Sequence, residues 1–275
     1  MPELPEVETV RRGLVPVLVG GTIERVVIRR DNLRFPLPDD MGQRLTGKPV
    51  TKMGRRGKYL LIHIAGGDVL VCHLGMSGSF RIYKDSIPEP AKHDHVLLMM
   101  ASGAAVHYHD PRRFGFMLLT DEAGLDDFPM LDKMGPEPVD PGLTGPQLAA
   151  RLRGRKTSIK AALLDQKVIA GIGNIYACEA LFRSGISPKR KAGTVTGGRA
   201  EKLAGAIRDV LTAAIDAGGS SISDHQQPNG DLGYFQFGFK VYDQEGKPCD
   251  NGCGHSIKRM VQNGRSTFYC PACQR

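Results

Sequence analysis

No run of apolar residues in this 275-residue chain approaches the ~18 needed to cross a bilayer, which excludes an integral membrane protein. An apolar signal region is missing as well: MPELPEVETVRRGL at 1–14 holds three glutamates and does not read as a secretory leader. Internal repeats and low-complexity tracts are absent. With 41% hydrophobic and 24% charged residues, the composition is that of a folded rather than a disordered chain. Cysteine is scarce, six in all, and the expected setting is a reducing cytoplasm, where paired thiols point to metal before disulfide. Acid is scarce in one place. Between 151 and 200, eleven Lys+Arg face two Asp+Glu, a net +9 in a chain whose total is +8, so the remainder is close to neutral. A basic block in an otherwise neutral protein points to a polyanionic partner, nucleic acid first, although a solvated basic face has the same composition.

The texture changes along the chain. Residues 1–130 open with a helical pattern, Val7, Val10 and Leu14 recurring on one face, with Pro5 near its start and Glu6 and Glu8 in its first turn. Beyond Gly20-Gly21 come short runs, at 22–28, 59–64, 69–73, 95–100 and 116–119, that read as strands without helices between them, hence an antiparallel sandwich or barrel. LDKMGPEPVDPGLTGP at 131–146 is the expected linker. Helices follow: 159–164 with Ser158 as N-cap, one opened by Asn174, and the strongest over about 199–217, ended by Gly218-Gly219. Residues 220–234 are polar and read as a loop.

Cys249-x3-Cys253, sixteen residues, then Cys270-x2-Cys273 are two thiol pairs bracketing an insert of β-hairpin size. Such spacing sets four thiolates around one Zn²⁺ with no open position, so the metal is expected to be structural. A unit this short needs that metal to fold. Asn263-Gly264 marks the hairpin turn, with Lys258, Arg259 and Arg265 placed to meet phosphates. Gly171-Ile172-Gly173-Asn174, entering a helix, is a weak phosphate-site pattern. Cys72 and Cys178 read as core residues. At the N-terminus, Pro2 would carry a free secondary amine once Met1 is removed, titrating near ~8 and so partly unprotonated at neutral pH. Such an amine can attack a sugar C1′, with Glu3 beside it to move protons.

Seven ordered blocks carry a resemblance: MPELPEVETVRRGL (1–14), GRRGKYLL (54–61), HLGMSG (73–78), DPRRFG (110–115), AGIGNIYACEALF (170–182), GYFQ (233–236) and GRSTFYCPACQ (264–274). Together they resemble the formamidopyrimidine-DNA glycosylases, bacterial enzymes that remove oxidised purines. The resemblance implies an α+β multidomain protein: an N-terminal β-sandwich with flanking helices (1–130), a linker (131–146), a helix-two-turns-helix domain (147–235) with a lesion-capping loop at about 220–234, and a C-terminal β-hairpin zinc finger (236–275). It implies a bifunctional glycosylase and AP lyase acting through a Pro2 iminium and cleaving the strand by β,δ-elimination. Pro2, Glu3, Lys58 and Arg265 are the implied catalytic set. Met76, His93, Arg112, Phe114, Lys160, Asn174 and Arg265 are the implied DNA contacts, with Met76, Arg112 and Phe114 filling the space left by an everted nucleotide. Read without the resemblance, Met76 and Phe114 would be core residues. Glu179 matches a buried acid near the site. The implied partner is damaged double-stranded DNA bound between the domains, with one structural zinc, no small-molecule cofactor and no membrane; the expected state is a monomer in the bacterial cytoplasm. Two departures stand out: the first cysteine pair has three intervening residues where the family usually has two, and the 220–233 stretch, with Asp224-His225-Gln226-Gln227, is unusual.

Other readings compete. His93 and His95 alternate on one expected strand, and His107 and His109 on the next, so four imidazoles could converge on a metal as in cupin-like sandwiches. The alternative role for these histidines is hydrogen-bonded support of the 110–115 loop. A non-enzymatic zinc-ribbon binder explains the charge and cysteines but leaves the N-terminal block unused. An endonuclease VIII-like glycosylase for oxidised pyrimidines shares the nucleophile and the hairpin.

Overall fold

The computed structural model describes residues 1–139, 141–220, 228 and 233–275. The chain forms two compact units: Met1–Asp132 with Gly218–Tyr234, and Lys133–Ala217 with Phe235–Arg275. The expected capping loop at about 220–234 thus has both described ends in the first unit, while Asp224, His225, Gln226 and Gln227 lie outside the described residues.

In the first unit, α1 (Leu4–Leu18) is followed by β1 (Thr22–Ile28), a short α2 (Met41–Leu45), β2 (Lys48–Arg56), β3 (Tyr59–Ile64), β4 (Asp68–His73), β5 (Ser79–Tyr83), β6 (Asp94–Met100), β7 (Ala105–His109) and β8 (Phe116–Asp121). The strand order is β5-β7-β6-β1-β2-β3-β4-β8, antiparallel throughout. Its two four-stranded halves meet only at a two-residue seam, Thr22 opposite Pro49 and Ile23 opposite Lys48. Alternate residues of both halves (Leu60, Ile62, Leu70 and Cys72 from one; Phe80, Val96, Leu98, Val106 and Tyr108 from the other) enter a single core with Val7, Val10, Leu14 and Leu18 of α1. Period-two burial on two facing layers makes this the expected sandwich.

The second unit holds α3 (Gly145–Leu152), α4 (Ile159–Leu163), α5 (Asn174–Ser184) and α6 (Gly197–Asp216), then the hairpin β9 (Lys258–Gln262) and β10 (Arg265–Tyr269). Ser158 Oγ caps α4 by accepting the Ala161 N–H at 3.3 Å, and Gly185 in the left-handed conformation ends α5. Phe182 and Cys178 of α5 pack with Val241, Ile257, Phe268, Cys249 and Cys270, so the hairpin shares a core with the helices. Cys72 and Cys178 are both fully buried in apolar surroundings, as the sequence suggests. No described helix is long and apolar enough to cross a membrane.

Candidate active site and zinc centre

The start of α1 is built from two glutamates. Glu3 and Glu6 form a reciprocal capping box, in which Glu6 Oε2 accepts the Glu3 N–H at 2.8 Å. The other oxygen of Glu6 accepts both the N–H and the Oγ–H of Ser220, each at 2.9 Å. Ser220 also bridges Tyr234, which draws the two described ends of the 220–234 segment together beside the first turn of α1. From sequence Glu6 reads only as a first-turn acid; the Glu3-x-x-Glu6 spacing is the available signal, and Ser220 has none. Pro2 and Glu3 are buried, whereas Met1, bonded to the Pro2 nitrogen, is 48% exposed. The terminal amine of Met1 is held below its ordinary value, chiefly by burial. Glu3 and Glu6 oppose that shift, and the cations of Lys58 and Arg112 add to it. Those influences place Pro2, Glu3, Lys58 and Arg112 in one neighbourhood.

Lys58, itself buried, sits in the β2–β3 turn. Behind it lies an aromatic layer. His73 stacks on Phe116 (centroids 5.4 Å apart, planes 14° apart) and lies 5.0 Å from Tyr59, while Phe35 packs edge-on to Phe116. Burial, then the nearby Lys58 and Arg34, push the His73 imidazole down to about 4, so its Nδ1 is an acceptor and takes the Gly75 N–H at 3.0 Å. This fixes the turn that carries Met76.

Met76 and Phe114, which pattern alone would bury, are 40% and 45% exposed. The Arg112 guanidinium lies 5.0 Å from the centre of the Phe114 ring. The two loops touch along their backbones: a Cβ at Gly75 would come within 2.3 Å of the Phe114 carbonyl carbon and the Gly115 nitrogen. The structure therefore brings the three implied wedge residues together.

The four histidines do not converge on a metal. His107 and His109 direct their Nδ1 atoms to opposite oxygens of Asp94 (3.2 and 2.7 Å), and His95 donates from Nε2 to the Asp110 carbonyl at 2.9 Å. Among the described residues only the four cysteines gather as a candidate ligand set. The cupin-like reading fails because these imidazoles do not gather as a ligand set, and three of them are instead bonded to Asp94 and Asp110. Two of the four histidines support the 110–115 loop, His95 through its ring and His93 through its carbonyl, which accepts the Asp110 N–H at 3.0 Å; His107 and His109 instead hold Asp94.

In the second unit, Lys160 departs from expectation. The ammonium is 1% exposed and donates to the Ser266 carbonyl at 2.8 Å and Thr267 Oγ1 at 2.6 Å, so it is not presented to a phosphate. Asn174 donates to the same Ser266 carbonyl at 3.0 Å. Both side chains tie the helices to β10 immediately after exposed Arg265, which follows the left-handed Asn263-Gly264 turn. Glu179 is likewise a pin: it accepts the N–H groups of Lys240, Val241 and Tyr242 at 2.8–3.2 Å. Burial nevertheless leaves its carboxyl above the ordinary range.

The sulfurs of Cys249, Cys253, Cys270 and Cys273 lie within 4.8 Å of one another, with Cys249–Cys273 at 3.8 Å and Cys253–Cys270 at 3.5 Å. Thiolates about 2.3 Å from a tetrahedral Zn²⁺ sit about 3.8 Å apart, so the donor set fits zinc. The extra residue of the first pair is absorbed in a turn closed by the Gly252 N–H on the Cys249 carbonyl at 3.0 Å.

Two outcomes follow from this geometry. Chelating the metal should abolish hydrogen-exchange protection in Lys258–Gln262 and Arg265–Tyr269 while leaving Tyr59–Ile64 protected, as read by exchange mass spectrometry. For His73, a folded value near 4 against 6.5 unfolded means that its contribution is complete above pH 6.5 and lost as pH falls toward 4. His73→Asn, which keeps an acceptor near Gly75, should lose less stability between pH 7 and 5 than the parent in urea titrations.

Residues 1–117 match the family model described as Formamidopyrimidine-DNA glycosylase N-terminal domain, residues 134–226 the Formamidopyrimidine-DNA glycosylase H2TH domain, and residues 246–275 the zinc finger found in FPG and IleRS. The four cysteines are thus the structural zinc site of that finger. The formamidopyrimidine-DNA glycosylase of Rhodopseudomonas palustris (strain TIE-1) is 54% identical over 292 residues, and that of Afipia carboxidovorans 53% over 294, each match covering 100% of both chains. The crystal structure of MutM (Fpg) from Thermus thermophilus is similar at a TM-score of 0.88 and 42% identity, covering 99% of this chain and 98% of that one. Lactococcus lactis Fpg in complex with abasic-site DNA is similar at 0.90 and 33%, covering 99% of each. With these matches running the length of the chain, it belongs to the formamidopyrimidine-DNA glycosylase family, the glycosylases/AP lyases of base excision repair.

Proposed function

We propose that this chain excises oxidised purines, 8-oxoguanine and formamidopyrimidines, from duplex DNA in the bacterial cytoplasm, with Pro2 as nucleophile. The observation that carries the reading is the α1 N-terminus, where Pro2 and the acid Glu3 are buried and the cations Lys58 and Arg112 act on the adjoining Met1 amine. Removal of Met1 opens the proline nitrogen on the side where the chain is exposed. Its lone pair attacks C1′ as the C1′–N bond to the base breaks, and the base leaves with that electron pair and takes up a proton. The proton left on the attacking nitrogen passes to Glu3, which delivers it to the ring oxygen as the nitrogen lone pair opens the sugar, giving an iminium between Pro2 and C1′. That cation acidifies the C2′ hydrogen; its loss expels the 3′ phosphate, and a second elimination expels the 5′ phosphate. Lys58 stabilises a phosphate of the damaged nucleotide, and Arg265 at the hairpin tip a second one. Met76, Arg112 and Phe114 fill the space of the everted nucleotide, the exposed apolar groups replacing lost stacking. His93 and Asn174 complete the backbone contacts. Lys160 acts on this surface only through β10, since its ammonium is bonded there. The PELPEVE and DPRRFG blocks with the Met76–Arg112–Phe114 set favour purine over pyrimidine lesions.

Borohydride added during reaction with 8-oxoguanine duplex should trap a one-to-one covalent adduct through Pro2, and a protein retaining Met1 should give none. Excision should rise with pH as the Pro2 amine, ordinarily near ~8, loses its proton. Lys58→Gln should move that midpoint upward, because a cation that acts on the neighbouring Met1 position would no longer disfavour a protonated amine there. Arg112→Ala should narrow the spread of excision rates among the four opposing bases by about tenfold in single-turnover assays. Faster excision of thymine glycol than of 8-oxoguanine would favour the pyrimidine reading.

A further inference from the structure

Two exposed loops, one carrying Met76 and the other Arg112 and Phe114, rest on one buried carboxylate. Asp110 is 0% exposed. One of its oxygens accepts the Ser77 hydroxyl at 2.6 Å; the other accepts the Gly115 N–H at 2.9 Å and lies 3.3 Å from the Tyr108 hydroxyl, which donates to it. Ser77 Oγ in turn accepts the Arg112 N–H at 3.1 Å. The Ser77 hydroxyl of the Met76 loop therefore donates to the base of the other loop at Asp110 and receives from its Arg112 N–H. Arg113, in the left-handed conformation at φ 57°, turns the chain between Arg112 and Phe114. The loops also fit without slack: a Cβ at Gly115 would lie 2.7 Å from the His73 carbonyl oxygen, and one at Gly78 within 2.3 Å of the Leu74 carbonyl oxygen.

We propose that Asp110 and Ser77 are positioning residues that lock the Met76 loop and the Arg112–Phe114 loop into one rigid wedge, so that all three side chains enter the stack as a unit when the damaged nucleotide leaves it. The proposal rests on the wedge role given to those three residues above. Its physical basis is preorganisation: two independently mobile loops would each be ordered at the moment of eversion, whereas a buried, fully bonded carboxylate orders them beforehand. Neither Asp110 nor Ser77 reaches the reacting atoms in this scheme. Their effect is confined to substrates in which a stacked nucleotide must be displaced.

The test compares two substrates under single turnover: an 8-oxoguanine duplex, and a single-stranded oligonucleotide with an AP site, which has no partner strand and no duplex stack to open. Ser77→Ala should slow excision from the duplex by about 10- to 100-fold while leaving strand scission at the single-stranded AP site unchanged. Asp110→Asn should behave likewise, with thermal unfolding recorded for both variants. Equal losses on both substrates would reveal a general folding role and overturn the proposal; parental rates on the duplex would overturn it too. A Met76→Ala/Phe114→Ala protein separates this from failure of the underlying reading. If it excises the duplex lesion at the parental rate, the wedge role falls and the clamp with it; if it is impaired while Ser77→Ala is not, only the clamp falls.

Discussion

Buried charge has to be met by fixed dipoles, and this chain meets it repeatedly with main-chain groups. Glu6, Asp110, Glu179 and Lys160 are each no more than 4% exposed, and each is bonded to backbone N–H or carbonyl groups elsewhere in the chain. An isolated buried ion would cost several kcal/mol; bonded in this way, each becomes a fixed point from which a loop is hung. Glu6 holds Ser220 beside α1, Asp110 holds the loops at 73–78 and 110–115, Glu179 holds the stretch entering the zinc finger, and Lys160 holds β10.

That arrangement explains why the working surface carries the opposite character. Met76 and Phe114 are apolar and exposed, an unfavourable display in water unless a partner covers it. On the proposed reading that partner is the base stack, and the bonded carboxylate beneath would hold the two loops that display these side chains. The amine at the head of α1 follows the same logic. Burial and the nearby Lys58 and Arg112 hold the Met1 amine below its ordinary value, while Glu3 and Glu6 oppose that shift.

Much of the fold is legible in the chain. The 22–28 and 59–64 runs are β1 and β3 with those bounds, Ser158 caps α4, and the cysteine spacing names its metal despite the extra residue. β2 escapes because KPVTKMGRR mixes charge and glycine into a strand only partly buried, and α3 because its Gly145-Pro146 start resembles a linker. Misreadings come from residues whose type suggests one partner and whose place supplies another. Lys160 has the look of a phosphate ligand and is a buried strut; the His93/His95/His107/His109 set has the look of a metal box, yet the rings of His95, His107 and His109 are bonded to Asp110 and Asp94.

What the sequence determined by itself is whatever repeats or brackets locally: strand alternation, helix faces and caps, the two thiol pairs, and the ordered motifs that identify the family. What only the tertiary structure decided is which side chains are spent on support and which are left for the substrate. The bonds that decide it join Lys160 to Ser266 and Glu6 to Ser220, residues more than a hundred positions apart. Periodicity reports the environment within a few turns of chain. The partner of a buried charge is chosen by packing.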